Sequence, residues 1–116
     1  MEILEYKEDD ASALVMRIKI DSETLTKAYD KALDDLVKDA EIPGFRRGKA
    51  PRKVVERHTG VPEIWETARD KASEEAFEAA LKEKEVEVEG EPEYEREEYK
   101  GEGDYEFSVT FKKKAD

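Results

Sequence analysis

The chain has 116 residues and a formal net charge of −11 at pH 7, from 32 acidic and 21 basic side chains. This length allows one domain with a buried core and leaves no room for two. The lack of cysteine excludes disulfides and thiolate metal sites, and a single histidine argues against a histidine-rich metal site. No apolar run approaches a membrane span, and the acidic N-terminus is unlike a signal peptide, so we expect a cytoplasmic protein.

The composition also suggests adaptation to heat. The chain contains no asparagine, glutamine or cysteine and is rich in glutamate and lysine. Labile side chains are disfavoured at high temperature, and ion-pair networks then cost less to desolvate. We therefore predict a protein from a hot environment, with chance in a small acidic chain as the alternative.

The N-terminal region predicts two strands joined by a turn. Ile3, Leu4 and Tyr6 would form a short first strand, and the polar cluster at residues 7–12 is a plausible turn. Apolar and more polar residues then alternate over residues 13–20, which indicates a strand with one buried face. The apolar members of that alternation are Leu14, Met16, Ile18 and Ile20.

A long amphipathic helix is predicted next. Asp21 or Ser22 would accept hydrogen bonds from its unpaired first-turn amides. Its apolar stripe, spaced for one helix face, comprises Leu25, Ala28, Tyr29, Ala32, Leu33, Leu36, Val37 and Ala40. Opposite charges four residues apart should pair on its outer face, namely Glu23 with Lys27 and Asp34 with Lys38.

Prolines and glycines divide the following segment. Pro51 suits the first position of a short helix, and Gly60 suits a left-handed cap at that helix's end. Pro62 would open a second long helix. Its buried stripe is predicted to be Ile64, Trp65, Ala68, Ala72, Ala76, Phe77, Ala80 and Leu81.

Two further strands are predicted near the C-terminus. Val86 and Val88 alternate with glutamates in a third strand, which Gly90 and Pro92 would interrupt. The last strand has one strongly apolar face, formed by Tyr105, Phe107, Val109 and Phe111. Together these elements predict an α+β, two-layer domain: a mostly antiparallel four-stranded sheet covered on one face by two long helices, with a protruding basic helix-loop-helix tip.

The segment "GFRRGKAPRK", residues 44–53, differs from the rest of the chain because it holds five basic residues and no acidic one. The remaining chain therefore carries a net charge of −16. The segment is not a nucleotide-binding P-loop, because the glycine spacing is wrong and Ala50 stands where a hydroxyl would bind magnesium. General nucleic-acid binding would be opposed by the acidic remainder, so any such contact must be local. A merely solvated loop is the remaining alternative, although an aromatic beside arginines is typical of interface hot spots.

The sequence "GFRRGKAP" resembles the ribosome-binding signature of the trigger factor family of bacterial chaperones, Gly-Phe-Arg-x-Gly-Lys-x-Pro. All six fixed positions match, and the order of predicted elements is similar to the family's N-terminal domain over roughly residues 1–112. The resemblance implies a ribosome-binding domain at 1–112 and the start of a linker at 113–116, which would lead to a prolyl isomerase domain that this chain lacks. The implied ribosome-binding residues are Gly44, Phe45, Arg46, Arg47, Gly48, Lys49 and Pro51.

The resemblance also implies partners and roles. Phe45 would anchor in an apolar spot of a large-subunit ribosomal protein beside the polypeptide exit tunnel, and Arg46 would pair with a carboxylate of that protein. Arg47 and Lys49 would meet a carboxylate or a phosphate of the adjacent ribosomal RNA. Nascent polypeptides would be clients, a homodimer is possible, and no cofactor, metal or enzymatic activity is expected. A small module that binds free RNA through the same loop is the alternative.

Six other residues have less specific interpretations. His58 has no second histidine or nucleophile near it in the sequence, so we expect a structural or solvent-exposed role. Trp65 and Phe77 lie on the stripe of the second long helix and are expected in the core. Arg52, Lys53 and Arg57 either support docking or only solvate the short helix.

Overall fold

The computed structural model describes residues 1–8 and 13–114, so most of the predicted turn at residues 7–12 lies outside the described part. Four strands and three helices are present there, in the predicted order. They are β1 (Glu2–Glu8), β2 (Leu14–Ile20), α1 (Ser22–Asp39), α2 (Arg52–Thr59), α3 (Val61–Lys84), β3 (Val88–Glu95) and β4 (Tyr105–Lys113).

The four strands form one sheet in the order β1-β2-β4-β3, and every pairing is antiparallel. One face is buried under α3, while the other face carries charged and polar residues such as Arg17, Lys19 and Glu106. The alternation of side chains along β2 and β4 explains this division, since neighbouring residues of a strand point to opposite faces. The predicted fold class, an α+β domain with an antiparallel four-stranded sheet, is confirmed.

The interruption predicted at Gly90 and Pro92 is present in the pairing with β4, whose register shifts between Glu89 and Glu93. The strand itself continues through both residues. Proline has no N–H to donate to a neighbouring strand, but β3 is an edge strand, where a lost ladder bond costs little. The positive φ of Gly90 fits the irregularity at this point.

The apolar residues are divided between two cores. The sheet core joins the inner faces of β2 and β4 to the C-terminal two thirds of α3 and to Leu25 at the start of α1. The helical core lies among α1, α2 and α3 and consists of Tyr29, Leu33, Ile42, Ala50, Val55, Ile64 and Ala68. The molecule is accordingly elongated, with extents of 56 × 29 × 21 Å. The two long helices pack against each other, and α1 extends away from the sheet.

The predicted side-chain cap of α1 is wrong. Neither Asp21 nor Ser22 caps the first-turn amides with its side chain. The Asp21 carboxylate instead accepts a hydrogen bond from the Thr24 hydroxyl, and this bond lowers the pKa of Asp21 below its ordinary value. The amide of Ser22 donates to the Asp104 carboxylate at 2.9 Å, so a residue preceding β4 satisfies the first amide of the helix.

Gly60 joins α2 directly to α3. Its amide donates to the carbonyl oxygen of Glu56 at 2.9 Å, which ends α2, and its own carbonyl accepts from Ile64 at 3.2 Å, which begins α3. Its φ is +98°, so glycine is favoured as predicted, but its ψ of 126° differs from that of the predicted left-handed helical cap. The sequence predicts Pro51 as the first residue of the short helix, but α2 begins one residue later, at Arg52, and Pro51 is its N-cap.

Candidate functional site

The segment between α1 and α2, residues 40–51, is here called the basic loop. It lies at the end of α1 remote from the sheet core, because Leu25 in the first turn belongs to the sheet core and the helix continues to Asp39. An 18-residue helix is about 27 Å long. The loop is therefore presented at the far end of a helical arm.

Two tight turns shape the basic loop. In the first, the amide of Phe45 donates to the carbonyl oxygen of Ile42 at 3.0 Å, with Pro43 and Gly44 in the central positions. The Gly44 φ of +90° together with the preceding proline is the pattern of a type II turn. In the second turn, the amide of Lys49 donates to the carbonyl oxygen of Arg46 at 2.9 Å. The two turns leave residues 43–47 exposed.

The base of the loop is fixed to the helices. Ile42 and Ala50, on either side of the exposed residues, are only 8% and 4% exposed and belong to the helical core. Between them, the amide of Gly48 donates to the carbonyl oxygen of Ala40 at 3.3 Å. These three attachments hold the loop closed, so its exposed residues are carried on a constrained backbone.

Phe45 is the exposed aromatic of the loop. Its side chain is 44% exposed, in contrast to the buried aromatics of the sheet core. With Ile42, Pro43, Glu41 and Arg47 it lines a shallow cavity of about 380 Å³. An exposed ring beside a small concave apolar surface is suited to contact with an apolar side chain of another molecule.

The basic residues of the loop differ in their partners. Within residues 1–8 and 13–114, no carboxylate lies within ion-pair distance of Arg46 or Lys49. Arg47 is 3.6 Å from the Asp39 carboxylate, but both side chains are well exposed, so this pair contributes little. The exposed part of the loop thus presents an aromatic ring, the weakly paired Arg47, and two cations, Arg46 and Lys49, that no described carboxylate neutralises.

Arg52 behaves differently from the residues of the loop. Its guanidinium bonds to the carboxylates of Asp30 and Asp34 on α1, with Nη2 of Arg52 3.0 Å from Oδ1 of Asp30. The predicted pair of Asp34 with Lys38 is therefore wrong, because the Asp34 carboxylate pairs with Arg52. The predicted pair of Glu23 with Lys27 is confirmed, with a distance of 3.4 Å between their charged groups. Sequence reasoning missed the Arg52 contact because its partners lie about 20 residues apart.

A second polar contact joins α2 to α1. The Tyr29 hydroxyl donates to the Glu56 carboxylate at 2.5 Å. Burial, the hydrogen bond and the negative charge of Glu56 together raise the pKa of Tyr29 well above its ordinary value. The hydroxyl therefore stays protonated and remains a donor at neutral pH.

The other residues singled out from the sequence have ordinary surroundings. Phe77 is buried in the sheet core, as predicted. Trp65 is half-buried and packs between Tyr29 and Tyr99, with ring centroids 4.3 Å and 5.4 Å away. His58 is exposed at the end of α2. Among the described residues, no group of three acidic, histidine or cysteine side chains could hold a metal ion.

The fold and the loop define a class of protein: a small α+β domain that presents an aromatic and basic loop on a helical arm. The family model for the bacterial trigger factor protein matches residues 1–115. The chain belongs to this family, in its N-terminal domain. No helix within residues 1–8 and 13–114 combines the length and apolarity needed to cross a membrane.

Individual relatives agree with the family assignment. The chain is 41% identical over 69 residues to trigger factor of Halalkalibacterium halodurans, which covers 60% of this chain and 16% of the relative. It is 34% identical over 80 residues to trigger factor of Natranaerobius thermophilus, and this match covers 69% of this chain and 18% of the relative. The chain thus spans less than a fifth of the length of these relatives.

A solved structure supports the same assignment over almost the whole chain. It is described as "Promiscuous Substrate Recognition in Folding and Assembly Activities of the Trigger Factor Chaperone". The superposition has a TM-score of 0.73 at 27% identity and covers 97% of this chain and 26% of the solved chain. The architecture of this chain is therefore that of part of a trigger factor.

Proposed function

We propose that the basic loop docks this chain on the large ribosomal subunit beside the polypeptide exit tunnel. The chain would act there as the docking domain of a chaperone that assists the folding of nascent polypeptides. Family membership supports the proposal, and so does the chaperone activity named for the related solved structure. The observation that carries it is the exposed Phe45 beside Arg46, which has no ion-pair partner among the described residues, on a loop fixed at its base.

Each exposed residue of the loop has a role that follows from its chemistry. Phe45 would insert into an apolar spot of a ribosomal protein, and Arg46 would form a charge-assisted bond with a carboxylate beside it. Arg47 and Lys49 would meet carboxylate or phosphate. Gly44, Gly48 and Pro51 would act through the backbone, since they shape the two turns and start α2.

The loop is small, so the interface is expected at the low end of the size range and the complex should be transient. Transient attachment suits a chaperone that leaves and rebinds the ribosome. The acidic remainder of the chain, with a net charge of −16 without residues 44–53, should disfavour attachment to other RNA surfaces. We propose no enzymatic step for these 116 residues. Self-association of the chain is a further expectation, which sedimentation of the chain alone would measure.

The direct test is co-sedimentation with large ribosomal subunits after Phe45, Arg46 and Arg47 are changed to alanine together. The folding free energy should change little, by about 0.5 kcal/mol or less per position, because all three side chains are exposed. Binding should be lost. A matched control changes Leu4, Lys112 and Lys113 to alanine, which removes one exposed apolar residue and two cations from the sheet. Retained binding of the triple loop variant would refute the proposal.

A second measurement separates docking from general RNA binding. A free-RNA module would bind protein-free ribosomal RNA about as tightly as whole subunits in a gel shift, whereas the docking domain should prefer subunits. Docking should also weaken only gently with salt, because few cations take part. A steep salt dependence with equal affinity for bare RNA would favour the alternative.

A further inference from the structure

Arg52 extends the run of basic residues past the loop, but its guanidinium is turned toward α1. Nη2 of Arg52 donates to the Asp30 carboxylate at 3.0 Å and to the Asp30 carbonyl oxygen at 3.4 Å, and Nη1 donates to the Asp34 carboxylate. Asp30 and Asp34 lie one turn apart on α1. The guanidinium of Arg52, the first residue of α2, therefore binds two successive turns of α1. This arrangement is here called the Arg52 clamp.

The short helix has few other attachments. α2 has eight residues, and Val55 is its one buried residue. Its other attachments to α1 are the hydrogen bond from Tyr29 to Glu56 and the packing of Val54 and Val55 in the helical core. Because one guanidinium bonds to two carboxylates, the clamp is a small network that supplements this apolar attachment, whereas a single exposed pair would contribute little. The basic loop ends where α2 begins, so the position of α2 determines the position of the loop's C-terminal end.

We propose that Arg52 is a positioning residue for the basic loop and not a ribosome contact. The inference rests on the proposed docking function. The clamp fixes the C-terminal end of the loop, while the bond from Gly48 to Ala40 fixes its middle. A loop held in its bound conformation loses less conformational entropy when it binds. Arg52 thus raises the affinity of Phe45 and Arg46 for the ribosome without touching it.

The test uses two substitutions for which positioning and direct contact predict opposite signs. Asp30→Ala with Asp34→Ala removes both carboxylates of the clamp, leaves Arg52 only its 3.4 Å bond to the carbonyl oxygen of residue 30, and makes the chain less acidic. If Arg52 contacted the ribosome, binding would tighten, because a cation is released and two repelling charges are lost. Positioning predicts binding weaker by about three- to tenfold, the effect of freeing one or two constrained side chains.

A matched control removes two acids outside the basic loop and leaves the clamp intact. Asp35→Ala with Glu75→Ala changes the charge by the same amount, and neither exposed carboxylate is in an ion pair within the described residues. This control should bind equally well or more tightly. Weaker binding of the clamp variant together with an undiminished control supports positioning. Tighter binding of both overturns it.

The salt dependence of binding supplies a second discriminating measurement. Arg46→Ala should flatten the dependence of affinity on salt, since one ionic contact disappears, whereas Arg52→Ala should weaken binding at an unchanged slope. A slope reduced as much by Arg52→Ala as by Arg46→Ala would show direct contact and overturn the inference. Thermal melting of each variant checks that the loss of affinity does not reflect unfolding.

Amide hydrogen exchange tests the clamp without any ribosome. The amides of Gly48 and Lys49 are hydrogen-bonded in the loop and should exchange faster in the clamp variant than in the control. If the unaltered chain does not bind ribosomes, docking fails, while this exchange measurement still decides whether the clamp orders the loop. Equal protection in the clamp variant and the control would overturn positioning even if docking holds.

Discussion

The carbonyl oxygen of Lys38 occupies the space that a side chain at Gly48 would need. A Cβ atom placed on Gly48 would lie 2.8 Å from that oxygen, closer than carbon and oxygen normally approach. The Gly48 φ of +77° independently favours glycine. The last turn of α1 and the basic loop therefore pack backbone against backbone, and this contact holds the loop in place beneath its exposed residues.

Gly48→Ala should destabilise the chain more than Gly44→Ala. Both positions have positive φ, which costs alanine about 1 kcal/mol, but no atom lies within 4 Å of a Cβ at Gly44. At Gly48 the backbone must also move away from Lys38, and we expect a total of about 3 kcal/mol. Urea denaturation of the two variants measures the difference. Equal losses would mean that the close approach at Gly48 is relieved without cost.

Gly101→Ala should disturb the packing of Trp65. A Cβ at Gly101 would lie 2.7 Å from the indole ring, whereas a Cβ at Gly103 would meet no atom within 4 Å. Both glycines have positive φ, so Gly103→Ala is a matched control for backbone strain. The chain has one tryptophan, and its fluorescence emission should shift in the Gly101 variant only. An unchanged emission spectrum would contradict the contact.

Tyr29→Phe should lower the free energy of unfolding by about 1–3 kcal/mol. The substitution removes the hydroxyl that donates to the partly buried Glu56 carboxylate, so that carboxylate loses this hydrogen bond. Tyr6→Phe is the control, because no described partner bonds the Tyr6 hydroxyl. Chemical denaturation compares the two variants. Similar small losses would show that the Tyr29 bond contributes nothing beyond exchange with water.

Stability should fall at alkaline pH. Burial raises the pKa of Tyr94, Tyr99 and Tyr105, and burial together with Glu56 raises that of Tyr29. Above about pH 10 these side chains ionise in the unfolded chain before they ionise in the folded one, so the unfolded state binds fewer protons. The free energy of unfolding is then undiminished below about pH 10 and decreases above it.

Denaturation curves between pH 8 and 11 would measure this decrease. Tyr29→Phe should make it shallower, because one of the shifted groups is removed. A free energy of unfolding that does not decrease above pH 10 would contradict the burial of these hydroxyls in the folded state.

Much of the fold could be predicted from the sequence because the apolar spacing is clear. The alternation along β2 and β4 and the alanine-rich stripe of α3 each match one regular structure, so element types and order are confirmed. The larger errors concern contacts between distant parts of the chain. The amide of Ser22 is satisfied by Asp104, and Asp34 bonds to Arg52 and not to Lys38.

The sequence by itself determined which residues are apolar at helical or strand spacing, and it marked residues 44–53 as the chain's cationic segment with an aromatic residue. Those properties are local, since they depend on periodicity and charge. Only the tertiary structure decided that Ile42 and Ala50 are buried while Phe45 between them is exposed. It also decided that Arg52 turns to α1, whereas no carboxylate of the described ranges pairs with Arg46. Burial and ion pairing depend on residues brought together by the packing of α1, α2 and α3, and spacing along one segment does not encode them.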